Sequence, residues 1–153
     1  MTLLLVFLIG VLDGLRSLTP PAATAWAAHL SWLRLPRFAA WLGTTPAVVI
    51  FTVLALVELV NDKLPKTPSR TEPMGLIVRI IMGAFAGACL APNRGQGSII
   101  GALIGAAGAI AGTFAGHQAR TKLVRALGTP DFVIAIFEDL VAVGGSLYIV
   151  SRF

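Results

Sequence analysis

Asp13 and Arg16 stand three residues apart inside an apolar run, a spacing that puts an acid and a base on one face of a helix. Glu58, Arg79 and the adjacent Glu138 and Asp139 interrupt other apolar runs in the same way. Arginines in such surroundings can receive an anionic group, and carboxylates can carry a proton or a cation. A lone charge in hydrocarbon costs at least about 2.5–3.5 kcal/mol on insertion scales. These groups should therefore face inward and pair, Asp13 and Glu58 with Arg16 and Arg79 being the natural choices. The plainer alternative is a structural ion-pair network, or arginines that snorkel to one membrane surface.

A second group lies in the polar stretch from Glu58 to Pro73, which holds Asp62, Lys63, Lys66, Arg70 and three prolines. Thr67, Ser69 and Thr71 beside Lys66 and Arg70 could cradle a phosphate, although a capped turn explains them equally well. Together the candidate binding residues are Asp13, Arg16, Glu58, Asp62, Arg70, Arg79, Glu138 and Asp139. None is given a catalytic role, and the residues imply no cofactor. Whether a metal binds stays open. Asp13, Glu58, Asp62, Glu138 and Asp139 could hold Mg2+ with Arg70 on a lipid phosphate. The tight repeated-aspartate spacing expected of a lipid phosphotransferase is missing. His29 and His117 have no second histidine or cysteine at ligand spacing, and Cys89 stands alone, so zinc is not expected. Histidines bonded to backbone or lipid at an interface fit better.

These groups need elements to hold them, and the composition says which kind. With 56% hydrophobic and 12% charged residues, the chain cannot cover a soluble globule with polar surface. Its net charge of +5 sits in short gaps between apolar runs, the pattern of anchoring against anionic headgroups rather than of nucleic-acid binding. The apolar start lacks a basic leader and meets Asp13 and Arg16 at once, so a cleaved signal peptide is not expected.

Six apolar segments follow: Thr2–Leu18, Pro21–Leu33, Thr45–Val60, Met74–Ala91, Gly97–Gly116 and Pro130–Val150. Prolines at 20, 21, 36, 46, 92 and 130 punctuate them. A span needs roughly 20 helical residues. Pro21–Leu33 is too short for certainty and either crosses with a tilt or re-enters. Let side A be the face where the first segment starts and side B the opposite one. At ~1.5 Å rise per residue, Asp13, Glu58, Glu138 and Asp139 come out about 12–13 Å below side B, and Arg16 and Arg79 about 8–9 Å. Separate segments deliver acids and arginines to one layer. Six basic residues of the gaps fall on B and four on A, which assigns B to the cytoplasm.

The two halves echo each other in order. Gly10-xxx-Gly14 before Thr19-Pro20 matches Gly83-xxx-Gly87 before Ala91-Pro92. Ala27-Ala28-His29 matches Ala115-Gly116-His117, and Gly43-Thr44-Thr45-Pro46 matches Gly128-Thr129-Pro130. The expected architecture is all-α: one polytopic helical membrane domain over 1–153. It holds about six transmembrane segments as two inverted three-helix repeats, about 1–61 and 74–153, joined by a polar connector at about 62–73. Gly97, Gly101, Gly105, Gly108, Gly112 and Gly116 form one bare stripe along the fifth segment, for close helix packing or dimerisation.

The runs Asp13-Gly-Leu-Arg16-Ser-Leu-Thr-Pro20, Asp62-Lys-Leu-Pro65-Lys-Thr-Pro68-Ser-Arg70-Thr71, Gly116-His117-Gln-Ala-Arg120 and Phe137-Glu138-Asp139-Leu resemble an uncharacterised bacterial integral membrane family, the domain-of-unknown-function 4126 proteins. The resemblance covers essentially the whole chain. It implies a multi-pass protein of the bacterial inner membrane and brings no activity with it. The residues themselves point to a small transporter or channel. Its charged site opens to the cytoplasmic side, for an anionic or phosphate-bearing solute or lipid with proton or cation coupling. The expected partners are the lipid bilayer, a second copy of the chain in a dimer, and that solute; nucleic acid is not among them. The alternatives are a Mg2+-dependent enzyme acting on a lipid phosphate, and a non-catalytic scaffold.

Overall fold

The computed structural model describes residues 1–63 and 71–153, and its regular structure is entirely helical among the described residues. Arg70, with Lys66, Thr67 and Ser69 of the candidate phosphate cradle, lies outside them. The helices are α1 (Thr2–Leu15), α2 (Thr19–His29), α3 (Thr45–Asn61), α4 (Pro73–Leu90), α5 (Ser98–Leu127) and α6 (Asp131–Val150). Short 3-10 turns occupy Arg37–Gly43 and Ala91–Arg94. Proline stands in the first turn of α2, α3 and α4, where its missing N–H leaves nothing unsatisfied. Gly128 ends α5 in the left-handed conformation at φ 58°, which glycine adopts without a Cβ clash.

The packing centres on α5, which lies against both α1 and α4. Small residues make this possible. A Cβ on Gly105 would stand 2.1 Å from the carbonyl oxygen of Gly83, and one on Gly112 would stand 2.1 Å from that of Val11. From the other side, a Cβ on Gly10 would meet the Gly105 carbonyl oxygen at 2.1 Å, and one on Gly87 that of Gly101 at 2.2 Å. Backbones at this range gain the dispersion contacts on which helix association in lipid depends. Gly101, Gly105, Gly108 and Gly112 thus face other helices of the same chain, Gly116 is buried, and Gly97 faces open space. The stripe is occupied within the monomer.

Three helical stretches, Pro73–Arg94, Ser98–Leu127 and Asp131–Val150, are long and apolar enough to cross a membrane among the described residues. A fourth results if Arg37–Gly43 and Thr45–Asn61, bent by 75°, count together. Large apolar side chains, among them Val53, Leu56, Leu103 and Leu140, point outward and are more than half exposed. Such a surface belongs in lipid. The chain is an all-helical membrane protein.

Three boundaries differ from the sequence reading. The first segment stops being helical at Leu15, not Leu18, and Arg16 is extended at φ −140° and ψ 108°. The second is an 11-residue helix ending at His29, because Ser31 turns into the left-handed region at φ 63°. At 1.5 Å per residue it is about 16 Å long, roughly half the hydrocarbon thickness. The fifth continues to Leu127, since neither proline nor glycine interrupts residues 117–127. Arg120, Lys122 and Arg125 therefore ride on a helix rather than in a loop.

Contacts sort the helix ends. Arg94 donates to the carbonyl of Arg152, the Arg34 amide donates to Asn93 Oδ1 at 2.9 Å, and the start of α1 packs near the 3-10 turn Ala91–Arg94. These share one end, side A. Ala23 and Ala27 of α2 join the apolar cluster of Val6 and Ile9 of α1, and His29 Nδ1 donates to the Gly43 carbonyl at 2.9 Å. α1 and α2 form a helical hairpin whose tip is Arg16–Leu18. Trp26, Trp32, Phe38 and Trp41 lie half-exposed on the α2 side of this end, as in an interfacial aromatic belt. The second half has no matching hairpin of equal length: α5 has 30 residues where α2 has 11.

Candidate functional site

The hairpin tip organises the charged residues. Unwinding at Arg16–Leu18 frees backbone groups that an apolar interior cannot solvate, and non-helical backbone at that depth is tolerated only when protein satisfies it. The Arg16 amide closes on the Leu12 carbonyl at 2.8 Å. Glu58, one turn from the end of α3, takes the next two amides. Its Oε1 accepts from the Ser17 amide at 2.7 Å and the Ser17 hydroxyl at 2.6 Å, and its Oε2 accepts from the Leu18 amide at 2.8 Å. A carboxylate there also meets the positive end of the α2 dipole. Replacing Glu58 by Ala is expected to cost about 1–3 kcal/mol, the usual range for buried donors left unpaired. The diagnostic readout is faster hydrogen exchange at the Ser17 and Leu18 amides.

Arg16 leaves the tip toward side B and is wholly buried. Its Nε donates to Asp139 Oδ1 at 2.7 Å, Nη1 pairs with Asp62, and Nη2 lies 4.0 Å from Glu138 Oε2. Asp62 ends α3, and Glu138 and Asp139 belong to the second turn of α6 and beyond. One guanidinium therefore ties three elements together. Arg120 of α5 repeats the pattern. It donates to both oxygens of Asp131 at 2.8 and 2.5 Å, to Asp62 at 2.8 Å and to Glu138 at 3.3 Å. Lys63 binds Asp139 and the Leu59 carbonyl. The planar fork of arginine can serve two or three carboxylates at fixed angles, which lysine cannot do.

Of the candidate residues, the structure thus brings Arg16, Asp62, Glu138 and Asp139 into one cluster with Glu58 beside it. The expected pairing of Asp13 and Glu58 with Arg16 and Arg79 does not form. Glu58 is engaged with backbone, Arg16 with Asp62 and Asp139, and Asp13, fully buried, has no hydrogen-bond partner at either oxygen among the described residues. The reason is rotation about the helix axis: the break after Leu15 swings Arg16 off the α1 face that carries Asp13. Arg79 is buried on α4 and donates to its own helix's Gly75 carbonyl at 3.2 Å. Lys63, Arg120 and Asp131 were not among the candidates. The glycine stripe could have revealed Arg120, which continues the four-residue step beyond Gly112 and Gly116.

Two clefts flank the cluster. One of about 410 Å3 lies between the B-side halves of α5 and α6, lined by apolar side chains such as Leu123, Phe137 and Val141, with Glu138 at its edge. Another of about 380 Å3, bounded by α2, α3 and α6, runs past Thr19, Trp26 and Thr52. Both have apolar walls and suit acyl chains better than a hydrated solute. Among the described residues no three metal-ligating side chains converge.

A protein-family sequence model described as "Domain of unknown function (DUF4126)" matches residues 3–151. No curated protein and no solved structure matches the chain.

Proposed function

We propose, from the premise that this chain belongs to the DUF4126 family, that it is a small transporter or channel of the bacterial inner membrane. Six membrane-embedded segments build it, the first two as the re-entrant hairpin α1–α2, with the charge cluster near the cytoplasmic face. The observation that carries this reading is the wholly buried Arg16 at the hairpin tip, held by Asp62 and Asp139 from two other elements. Discontinuous helices that bring charges to the interior are how many transporters build a coupling site. The inverted duplication is supported by Gly10/Gly14 and Gly83/Gly87, which both pack on the single helix α5. A dimer draws no support from the glycine stripe, since α1 and α4 already cover it.

The solute is best assigned to the acids. Arg16, Lys63 and Arg120 each already hold a carboxylate, so receiving an anion would require breaking existing pairs. A proton or cation exchanging on the carboxylates would break pairs too, but a proton on Asp139 neutralises it in place and would loosen Arg16 and Lys63 together. The expected result is proton or cation flux in proteoliposomes above that of protein-free vesicles, most of it lost in Asp139→Asn. Flux equal to that of protein-free vesicles for protons, monovalent cations and labelled anions alike would overturn the proposal. That outcome would favour a non-catalytic scaffold, the reading to which the mutual pairing of these charges also lends itself.

A further inference from the structure

Resting on that transport reading, we propose that Asp13 binds the proton the protein moves or is driven by. Asp13 is 0% exposed, and neither of its oxygens has a hydrogen-bond partner among the described residues. The acids of α3 and α6 are engaged: Glu58 with Ser17 and Leu18, Asp62 with Arg16 and Arg120, Glu138 with Arg120, Asp139 with Arg16 and Lys63, Asp131 with Arg120. An ionised carboxylate stripped of both water and donors is among the least favourable groups a protein interior can hold. Protonation removes the charge without needing a partner.

Among the described residues, the charged groups of the neighbouring elements give Asp13 no ion pair. On its own segment Arg16 is committed to Asp62 and Asp139. From α3 comes Glu58, engaged with Ser17 and Leu18. On α4 the nearest charge toward side B is Arg79, which donates to Gly75. On α5 are His117 and Arg120, the latter occupied by Asp131 and Asp62; on α6 are Glu138 and Asp139; and α2 contributes only His29 at its far end. A proton fits this setting better than a metal ion, because it asks for one carboxylate rather than a shell of ligands.

The position also gives the proton something to do. When the Asp13 O–H bond breaks and the proton leaves to water, the new carboxylate lies three residues before the Arg16 turn, and that turn must rotate for Arg16 to answer it. Drawing Arg16 away would release Asp62 of the α3 end and Asp139 of α6, the contacts that close the bundle at side B. Proton uptake returns Arg16 to them. The exchange is a reversible acid–base step with no change of oxidation state.

The test combines a spectroscopic and a transport readout. In wild-type protein reconstituted in lipid at neutral pH, infrared spectroscopy is expected to show a protonated-carboxyl C=O band that shifts in D2O and is absent in Asp13→Asn. Proton flux in proteoliposomes should fall to the background of protein-free vesicles in the same variant. Loss of the band in the variant without wild-type flux would support the proton site and reject transport. Wild-type flux that Asp13→Asn leaves intact, no D2O-sensitive band, or flux driven by Na+ gradients alone would each overturn the proposal. Should Asp13→Asn fail to fold, carbon-13-labelled aspartate in the wild type decides instead. The band must then shift with the label, because the other aspartates near it are ion-paired.

Discussion

Gly105→Ala is expected to destabilise the protein by about 3 kcal/mol or more, the upper end of the range for overpacking a filled interior. At an open helical position the same change would gain up to ~1 kcal/mol from helix propensity. The sign reverses because the added methyl would stand 2.1 Å from the Gly83 carbonyl oxygen. That atom belongs to a helix backbone and cannot rotate aside as a side chain could. The opposite face is equally closed, since a Cβ added to Gly10 would come within the same range of the Gly105 carbonyl oxygen. One methyl would therefore have to move α4 relative to α5, and the α1 contact one turn away with it.

Gly144→Ala is the matched control. Gly144 lies inside α6 with nothing within 4 Å of an added Cβ, so the variant should be neutral or slightly more stable. Reversible unfolding in mixed micelles reads both. Equal midpoints for the two variants would mean that α1, α4 and α5 do not approach as closely as they do here. The contrast also reaches function, because α1 carries Asp13 and leads directly into the Arg16 turn.

What could be read from residues alone divides along a physical line. Pro46, Pro73, Pro92, Gly128 and Pro130 fix where the chain cannot remain α-helical, and the ends of α3, α4, α5 and α6 fall beside them. Counting by the rise per residue brought Arg16, Glu138 and Asp139 to similar heights, and these three do meet. Azimuth was not legible. A three-residue break turns Arg16 away from Asp13 and hands it to Asp62 and Asp139, and nothing local to Asp13-Gly-Leu-Arg16 encodes that rotation. Partner choice is set by which helix ends converge, a tertiary property. The hairpin was half legible: the shortness of Pro21–Leu33 left a tilted crossing and re-entry both open, and the end of α2 depends on Ser31 entering a backbone region that serine seldom adopts. Arg120 looked like a loop residue because helix α5 outlasts the apolar run that announces it.

Arg16→Met should be the most damaging change in the charge cluster, at about 3–5 kcal/mol, the usual cost of removing one member of a buried ion pair. The loss of attraction is the smaller part. Asp62 and Asp139 would keep Arg120 and Lys63 but lose the group that holds them together, leaving carboxylate charge without compensation. Arg16→Lys should recover little of it, because an ammonium gathers its donors on one nitrogen and cannot reproduce the fork that reaches Asp62 through Nη1 and Asp139 through Nε. Pairing Arg16→Met with Asp139→Leu removes charge of both signs, and a buried pair replaced by apolar groups is often neutral in stability. The double variant should therefore unfold closer to wild type than Arg16→Met does, a coupling that a double-mutant cycle measures directly. Its transport behaviour then separates the two roles of the cluster. Stability regained with flux still absent means the charges work in transport, whereas both regained together means that they only hold α3 and α6 against the hairpin tip.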